Sequence, residues 1–265
     1  MSINDRAQVT TKKPTLKKLL ISKKQMSGRS GGTIAVRHRG GGQKRHIRVV
    51  DFKRNDKLGI PARIAEIEYD PNRSGFIAVA VYKDGEKRYI LAHKDMKVGD
   101  EIICDVKPKP RAGNRMPLSS IPVGFEIYNI EITAGRGGQV ARSAGTSAKL
   151  LSLEGDMAQI EFKNGEIRLV HKTNFATIGV VSNEEHNQMR IGKAGRVRHM
   201  GRRPQVRGKV MNPNDHPHGG GEAANSIGMK YPKTPWGAHA LGVKTRRNKD
   251  TNKYILRTRH RAKKR

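Results

Sequence analysis

Short apolar runs, several of them alternating with polar residues, recur along residues 48–106 and end at turn residues. Runs of this length that are rich in Val, Ile, Tyr and Phe are typical of β-strands in a small sheet. They predict strands at 48–52, 63–69, 76–82, 86–92 and 98–106. Asp84-Gly85 predicts a hairpin with a type I′ turn, because both positions of that turn need a residue that tolerates a positive φ.

A second set of short strands is predicted at 125–132, 148–153, 158–162 and 166–171, with a hairpin turn at Asn164-Gly165. The proline-rich segment 108–122 separates the two sets. Because proline has no amide donor and a fixed φ, we expect this segment to end strand pairing and to mark a domain boundary. No stretch of twelve residues has a 3.6-residue apolar period, so we expect few and short helices.

These elements predict a mostly β protein with two small β-barrels in tandem, since closing a short-stranded sheet removes its exposed edges. The barrels have the size of oligonucleotide-binding and SH3-like folds. The predicted division is a basic N-terminal extension at 1–35, barrels at 36–118 and 119–195, and a basic C-terminal extension at 196–265.

The charge is concentrated at the two ends of the chain. The 265 residues contain 54 Lys and Arg against 23 Asp and Glu, for a net charge of +31. Residues 1–60 carry +13 and residues 191–265 carry +17, whereas 61–130 carry +1 and 131–190 carry none. Long cationic segments repel themselves, so we expect a neutral folded body whose basic ends are ordered by a polyanion.

Cysteine usage and apolar run length exclude several classes of protein. Cys104 is the single cysteine, which excludes an intramolecular disulfide and a multi-thiolate zinc or iron–sulfur site and fits a reducing compartment. The longest apolar run, 76–82, has seven residues, far fewer than the ~20 that cross a bilayer, so we expect no membrane partner. We also expect no cofactor, and the sequence does not require a structural Mg or Zn.

Two glycine-rich loops are predicted to contact phosphates. Residues 36–48 place five Lys or Arg and two His around Gly40, Gly41 and Gly42, and glycine lets the backbone approach a phosphate while arginine matches its oxygens. Residues 134–146 are mostly small, which would let the backbone lie against RNA sugar and phosphate. The alternatives are a flexible solvated loop for the first and a long interstrand loop for the second.

The C-terminal third is predicted to run between RNA segments. Residues 191–210 hold seven Lys or Arg and no acidic residue, and Pro204 prevents one long amphipathic helix. Residues 244–265 form a basic tail. A chromosomal DNA binder is an alternative, although no recognition helix of suitable length is visible.

Residues 211–222 contain Asp215, His216, His218 and Glu222, which could hold a metal or provide a general base. The spacing argues against both, because the intervening Pro217 fixes the directions of the two imidazoles and no second ligand cluster completes a site. A metal-dependent or His-dependent enzyme that uses Asp215, His216 and His218 is the alternative, which this spacing disfavours. The favoured interpretation is a glycine-hinged loop whose histidines bond RNA phosphates or 2′-hydroxyls, with no catalytic residue and no metal ligand.

Seven sequence strings resemble the family of large ribosomal subunit protein two, bacterial type. They occur in order as RHRGGG at 37–42, YDPNRS at 69–74, RYILA at 88–92, ARSAGT at 141–146, ATIGVV at 176–181, RRPQVRG at 202–208 and MNPNDHPHGGGE at 211–222. The chain departs from the family at Ala223-Ala224-Asn225-Ser226, where Gly-Arg is usual after Glu222, and at His199 or Met200, where an aromatic is common.

The resemblance implies an oligonucleotide-binding barrel followed by an SH3-like barrel, in a ribonucleoprotein constituent that binds 23S-type rRNA. It implies neighbouring ribosomal proteins, the small subunit at an intersubunit bridge and tRNA as partners. It also implies support of subunit association, tRNA binding and formation of the peptidyl-transferase centre. The expected location is the ribosome of a bacterial cytoplasm, with a plastid stroma as the alternative.

The residues expected to contact rRNA come partly from their chemistry and partly from the resemblance. The loop at 215–218 is implied by the resemblance to approach the peptidyl-transferase region, and we expect no catalysis by His216. The complete expected set is Arg37, His38, Arg39, Lys44, Arg45, His46, Arg142, Ser143, Gly145, Thr146, Arg196, Arg202, Arg203, Arg207, Asp215, His216, His218, Arg246 and Arg247.

Overall fold

The computed structural model describes residues 8–11, 13–24, 26–222 and 225–259. Its strands are β1 (Leu20–Ser22), β2 (Arg29–Ser30), β3 (Thr33–Ile34), β4 (His46–Arg48), β5 (Ala62–Glu68), β6 (Ile77–Tyr82), β7 (Lys87–Leu91), β8 (Glu101–Ile102), β9 (Arg115–Pro117), β10 (Glu126–Tyr128), β11 (Ala148–Glu154), β12 (Met157–Phe162), β13 (Ile167–His171), β14 (Phe175–Ile178) and β15 (Ile255–Arg257). The predicted mostly β fold is confirmed, and its curled sheets are consistent with oligonucleotide-binding and SH3-like barrels.

Helices are few and short, as predicted. The α-helix found in the described ranges is α1 (Ala194–His199), and the 3-10 helices are Lys17–Leu19, Asn55–Lys57, Leu118–Ser120, Glu184–Gln188, Gly208–Val210 and Asp250–Tyr254. In this part of the chain no helix has the length and apolarity that a bilayer crossing requires.

The first large sheet has the strand order β7-β6-β5-β8 and is antiparallel throughout. The hairpin at Asp84-Gly85 is confirmed, but the type I′ turn is wrong. Gly85 has a φ of 84° and Asp84 is not among the residues with positive φ. The loop has three residues, closed by a hydrogen bond from the Tyr82 amide to the Glu86 carbonyl, and such a loop needs a left-handed residue only at its last position.

The two faces of this sheet are both buried. Ile64, Ala78 and Ile90 belong to the core on one face, while Ile77, Val79 and Tyr89 belong to the cluster on the other. Leu16, Leu19 and Val50 pack in that second cluster, and the amide of Leu16 donates to the Tyr89 hydroxyl at 3.1 Å. Part of the predicted N-terminal extension therefore covers the sheet as core.

The second large sheet has the order β15-β13-β12-β11-β10-β14-β9. Its core holds Ile127, Leu150, Ile160 and Ala176. The expectation that the proline-rich segment ends strand pairing is wrong at Arg115–Pro117, because β9 pairs with β14 at the edge of the sheet. A proline is tolerated there, since an edge strand leaves one side of its backbone unpaired.

Buried polar contacts join the second large sheet to the segment Lys53-Arg54, which precedes β5. The fully buried Arg115 donates to the carbonyls of Lys53 and Asn129 at 2.9 Å and to the carboxylate of Glu131 at 2.8 Å. Arg54, which is 3% exposed, donates to Thr177 Oγ1 at 3.1 Å. Burial lowers the pKa of Arg115 to about 10, so its guanidinium is charged at neutral pH and Glu131 balances it.

The chain forms two compact units. One, called the sheet unit here, consists of the described parts of Met1–Lys23, Lys44–Arg190 and Thr251–Arg265; the other, called the basic unit, consists of the described parts of Lys24–Gln43 and Ile191–Asp250. The predicted four-part division stays a prediction.

Candidate nucleic-acid interface

Cationic residues dominate the basic unit. Its two segments contain 17 Lys and Arg against 3 Asp and Glu, whereas Lys44–Arg190 of the sheet unit contains 24 against 19. Within the described residues of the basic unit, His216 is the buried side chain, and the other side chains are exposed or half-buried. A surface with this excess of positive charge is suited to the phosphates of a nucleic acid.

Two of the predicted basic segments lie together inside this unit. The amides of Gly40 and Gln43 donate to the carbonyls of Gly201 and His199 at 2.9 and 3.0 Å, and the Arg203 amide donates to the His38 carbonyl at 3.0 Å. These backbone bonds connect the glycine-rich loop to the end of α1 and the turn after it. Arginines that lie about 160 residues apart in the sequence therefore share one surface.

Glycine is required where the two segments approach each other. A Cβ on Gly42 would lie 2.8 Å from the Cα of Gly201, which is closer than side-chain carbons come to a backbone. Gly41 has a φ of 64°, a left-handed conformation that glycine adopts without strain, and the Arg198 guanidinium lies against it. The predicted glycine clamp is thus built to receive an arginine of the second segment.

An open cavity of about 750 Å³ lies at this junction. It has five arginines in its wall and no acidic residue: Arg29, Arg37, Arg39, Arg198 and Arg203. Nη1 of Arg198 is buried and has no hydrogen-bond partner among the described residues. Because guanidinium groups pair best with planar or tetrahedral oxyanions, the cavity is suited to a phosphate.

The other half of the first predicted clamp belongs to the sheet unit. Lys44, Arg45 and His46 precede or start β4, and Arg45 Nη1 donates to the Pro71 carbonyl at 2.9 Å. Lys44 and His46 are exposed. The predicted clamp of 36–48 is therefore divided between two units.

A second candidate contact surface lies on the sheet unit, at the loop predicted around Arg142. The guanidinium carbon of Arg142 lies 4.4 Å from the ring centroid of Phe52, and that of Arg73 lies 5.5 Å from the same ring. Both arginines line a cavity of about 630 Å³. Burial and the like charge of Arg73 lower the pKa of Arg142, and an anion between the two would relieve their repulsion.

Gly145 and Thr146 use their polar groups mainly within the protein itself. The Gly145 amide donates to the Val181 carbonyl at 3.1 Å, and the Thr146 hydroxyl donates to the Ser143 carbonyl at 2.7 Å. Ser143 and Arg142 are exposed. The loop thus fixes its own turn and presents Arg142 and Ser143 outward.

The loop at 211–222 is organised around His216. This side chain is 8% exposed, and its Nδ1 accepts a hydrogen bond from the His218 amide at 3.0 Å. His218 Nε2 accepts from the Lys233 amide at 2.7 Å, and the two imidazole centroids are 4.8 Å apart. One nitrogen of each histidine is therefore occupied by a backbone amide, and no group of three His, Cys, Asp or Glu in the described ranges is placed to hold a metal ion.

The remaining predicted residues are exposed: Asp215, Arg196, Arg202, Arg207, Arg246 and Arg247. His199 and Met200 are also exposed, while Ala223 and Ala224 lie outside the described residues. Exposure makes the five arginines of this set accessible to a polyanion, whereas Asp215 is an anion and could meet RNA only at a hydroxyl or amino group. Their contact with rRNA stays a prediction, as does that of the residues described above.

Sequence reasoning missed several residues of these surfaces. Arg29 lines the first cavity, Arg73 and Phe52 line the second, and Trp236 lies under the Arg37 guanidinium at 5.3 Å. The sequence carried one signal for this site, because Trp236 is the single tryptophan of a chain with only 5% aromatic residues. No local feature of the sequence indicated that Phe52 and Arg142 lie in contact.

Two family models match the chain. The model described as Ribosomal Proteins L2, RNA binding N-terminal domain, matches residues 16–104, and the one described as Ribosomal Proteins L2, C-terminal domain, matches residues 111–237. The first range contains β1 to β8, and the second contains β9 to β14 and α1. The boundary between the two matches thus falls between the two large sheets.

Proposed function

The chain belongs to the ribosomal protein L2 family, and from this premise we propose that it supports subunit association, tRNA binding and formation of the peptidyl-transferase centre without catalysing the reaction. Membership itself makes the protein a structural, RNA-binding constituent of the large ribosomal subunit. The proposal adds what the constituent does there and which surfaces it uses.

The segregation of charge supports this function most strongly. The sheet unit is nearly neutral between Lys44 and Arg190, so it can fold as a body, whereas the basic unit carries an excess of 14 positive charges. Neutralising phosphates releases counterions and supplies a large share of RNA affinity. We assign rRNA anchoring to the basic unit, with the Arg142 and Arg73 surface as a second contact.

A supporting role for the loop at 211–222 is favoured over acid–base chemistry. A general base must have a free nitrogen within hydrogen-bond reach of the reacting amine. His216 is buried, and its Nδ1 already accepts the His218 amide. In our proposal His216 shapes the loop that approaches the peptidyl-transferase region, and the RNA of the ribosome forms the reaction centre.

Neighbouring ribosomal proteins, the small subunit at an intersubunit bridge and nearby tRNA are the proposed partners beyond rRNA. The proposed setting is the ribosome of a bacterial cytoplasm, as the sequence resemblance implies.

Binding of the full chain to large-subunit rRNA, compared with an unrelated structured RNA of equal length, tests the RNA-binding core of the proposal. We expect selective binding to the rRNA at moderate salt. If about ten phosphates are contacted, the log–log salt slope is about −7 to −9. Equal binding to both RNAs, tighter binding to duplex DNA or a flat salt response would contradict it.

Large subunits reconstituted with and without the chain test the finer roles. We expect subunits that lack it to be impaired in association with the small subunit, in tRNA binding and in peptide-bond formation. A His216→Ala chain that assembles should keep much of the peptide-bond formation, because the proposed role of the ring is structural. Normal activity of subunits without the chain would refute the proposal.

A further inference from the structure

We infer that Trp236 and the arginine cavity beside it bind one unpaired nucleotide of the rRNA, with the base stacked on the indole and the phosphate in the cavity. The inference deepens the rRNA binding proposed above and rests on it. It adds the base of a nucleotide to the phosphates as a group that the basic unit recognises.

Trp236 is the single tryptophan of the chain and is 80% exposed. A tryptophan normally buries a large part of its surface, so such exposure of its ring is characteristic of a binding residue. The surrounding backbone holds it in place: the Gly237 amide donates to the Thr234 carbonyl at 2.9 Å, and the Thr234 amide donates to the Ala238 carbonyl at 2.7 Å. Trp236 thus lies at the tip of a tight hairpin.

The hairpin is attached to the loop around His216. Lys233 and His239 form an isolated antiparallel bridge at its base, and the Lys233 amide donates to His218 Nε2. Tyr231 packs edge-on against His239, with ring centroids 4.4 Å apart. These contacts fix the hairpin on the folded loop, so Trp236 is presented with little conformational freedom to lose on binding.

Arg37 connects the tryptophan to the cavity. Its guanidinium carbon lies 5.3 Å from the indole centroid, within cation–π distance, and the same residue lines the cavity with Arg39, Arg198 and Arg203. Arg198 contributes a buried Nη1 that has no acceptor in the described part of the chain, and a phosphate oxygen would supply one. Arg37 therefore lies between the two proposed contacts, the base on the indole of Trp236 and the phosphate among the arginines of the cavity.

The combination favours a nucleotide over the other ligands that each part alone would accept. A free phosphate would use the arginines and leave Trp236 exposed, while an apolar protein segment would cover Trp236 and leave the cavity charges unpaired. Every base has an aromatic face that stacks on an indole, and every nucleotide carries the phosphate. An unpaired nucleotide satisfies both parts.

The emission of Trp236 tests the inference directly, because no other tryptophan contributes to it. The full chain is titrated with large-subunit rRNA and, in parallel, with inorganic polyphosphate, which has the charge without the bases. We expect rRNA to quench the emission and polyphosphate to bind with little quenching. Free N-acetyltryptophanamide, mixed with the same RNA, corrects for light absorbed by the RNA.

Trp236→Leu and Trp236→Phe give an independent measure by filter binding. Stacking on one aromatic residue is lost in the first variant and largely kept in the second, so we expect about 5- to 100-fold weaker rRNA binding for Trp236→Leu and a small change for Trp236→Phe. Leu241→Ala is the matched control, since Leu241 is also exposed, at 68%, in the same part of the chain.

Each result has a defined meaning. Tight rRNA binding without quenching, equal quenching by polyphosphate, or wild-type affinity of Trp236→Leu would overturn the nucleotide site while rRNA binding by the family member stands. Binding of a ribosomal protein to Trp236 in place of rRNA would also overturn the nucleotide site. Absence of selective rRNA binding by the wild-type chain would contradict the proposed function too.

Discussion

Arg115 of the sheet unit and Arg203 of the basic unit occupy opposite environments. Arg115 is fully buried and donates to Lys53, Asn129 and Glu131. Arg203 is exposed, lines a cavity without acidic residues and, within the described ranges, forms hydrogen bonds through its backbone. The same side chain fixes a strand of the second sheet to neighbouring loops in one unit and is available to an external anion in the other.

The difference follows from the carboxylates that accompany the charge. In the sheet unit Arg88 is paired with Asp51, Asp56 and Glu86, and the buried Asp70 is paired with Arg73. The basic unit has too few carboxylates to do this. A buried charge must be paired, so the internal ion pairs help to define the fold of the sheet unit, while we expect the exposed cations of the basic unit to be neutralised by a polyanion.

Removing the charge of Arg115 should have the largest effect. Arg115→Met leaves Glu131 buried and unpaired, and the expected loss in the free energy of unfolding is about 3–5 kcal/mol. Urea denaturation of the full chain, followed by circular dichroism, measures it. Lys172→Ala breaks an exposed pair with Asp156 and should cost about 0–1 kcal/mol.

The double variant Arg115→Met/Glu131→Met sharpens this comparison. Because it removes both buried charges, it should be more stable than Arg115→Met alone. If Arg115→Met were no less stable than Lys172→Ala, the role given to the buried arginine would be wrong.

Replacing cations of the basic unit should affect binding instead of folding. Arg203→Ala and Arg207→Ala each remove a charged hydrogen-bond donor and should weaken rRNA binding by about 1.5–3 kcal/mol. Each should also make the log–log salt slope shallower by about 1. Arg88→Ala should leave binding nearly unchanged, because its three acidic partners already satisfy the guanidinium. Equal losses for all three variants would abolish the distinction between the units.

A smaller effect is expected from Gly208→Ala. A Cβ at this position would lie 2.5 Å from Cε1 of the buried His216, so the ring must move and the loop at 211–222 should loosen. The expected local cost is about 1–3 kcal/mol. Faster amide hydrogen exchange in residues 207–220 would report it.

Gly195→Ala is the matched control for this change. Gly195 lies in α1 with no atom within 4 Å of a Cβ built there, and alanine favours helix, so exchange in α1 should stay equal or slow. If amide hydrogen exchange in residues 207–220 of Gly208→Ala were unchanged, the structural role given to His216 would be wrong.

Local patterns predicted the parts of the fold that depend on neighbouring residues. The β6–β7 hairpin was found because its strands and its glycine turn lie within fifteen residues. The pairing of β15 with β13 was not found, since three residues of a basic tail carry no periodic signal for a partner almost 90 residues away. The burial of Arg115 was also missed, because its acceptors come together only in the folded protein.

The candidate interface was predicted in the same partial way. Composition identified the loop at 36–48 and the segment at 191–210 as cationic, which is a local property. Their junction at Gly42 and Gly201, the cavity it forms and the position of Trp236 depend on contacts between distant segments. The sequence therefore predicted which segments are cationic, and the fold determines which of their residues lie on one surface.

The smallest effect concerns a histidine in the sheet unit. Burial lowers the pKa of His93 below its ordinary value of about 6.5, although Asp100 and Asp95 oppose the shift. Below about pH 6.5 the unfolded chain takes up a proton that the folded chain resists, so this residue makes the protein less stable as the pH falls. Its contribution is fully present at neutral pH and is lost toward the lower, native pKa.

His93→Gln removes this titration and keeps a polar side chain of moderate size. We therefore expect a smaller difference between the unfolding free energies at pH 7 and pH 5 in the variant than in the wild type, while rRNA binding at pH 7 stays unchanged. Urea denaturation at the two pH values measures the difference. An equal pH dependence in both proteins would mean that His93 does not contribute to the acid response of the sheet unit.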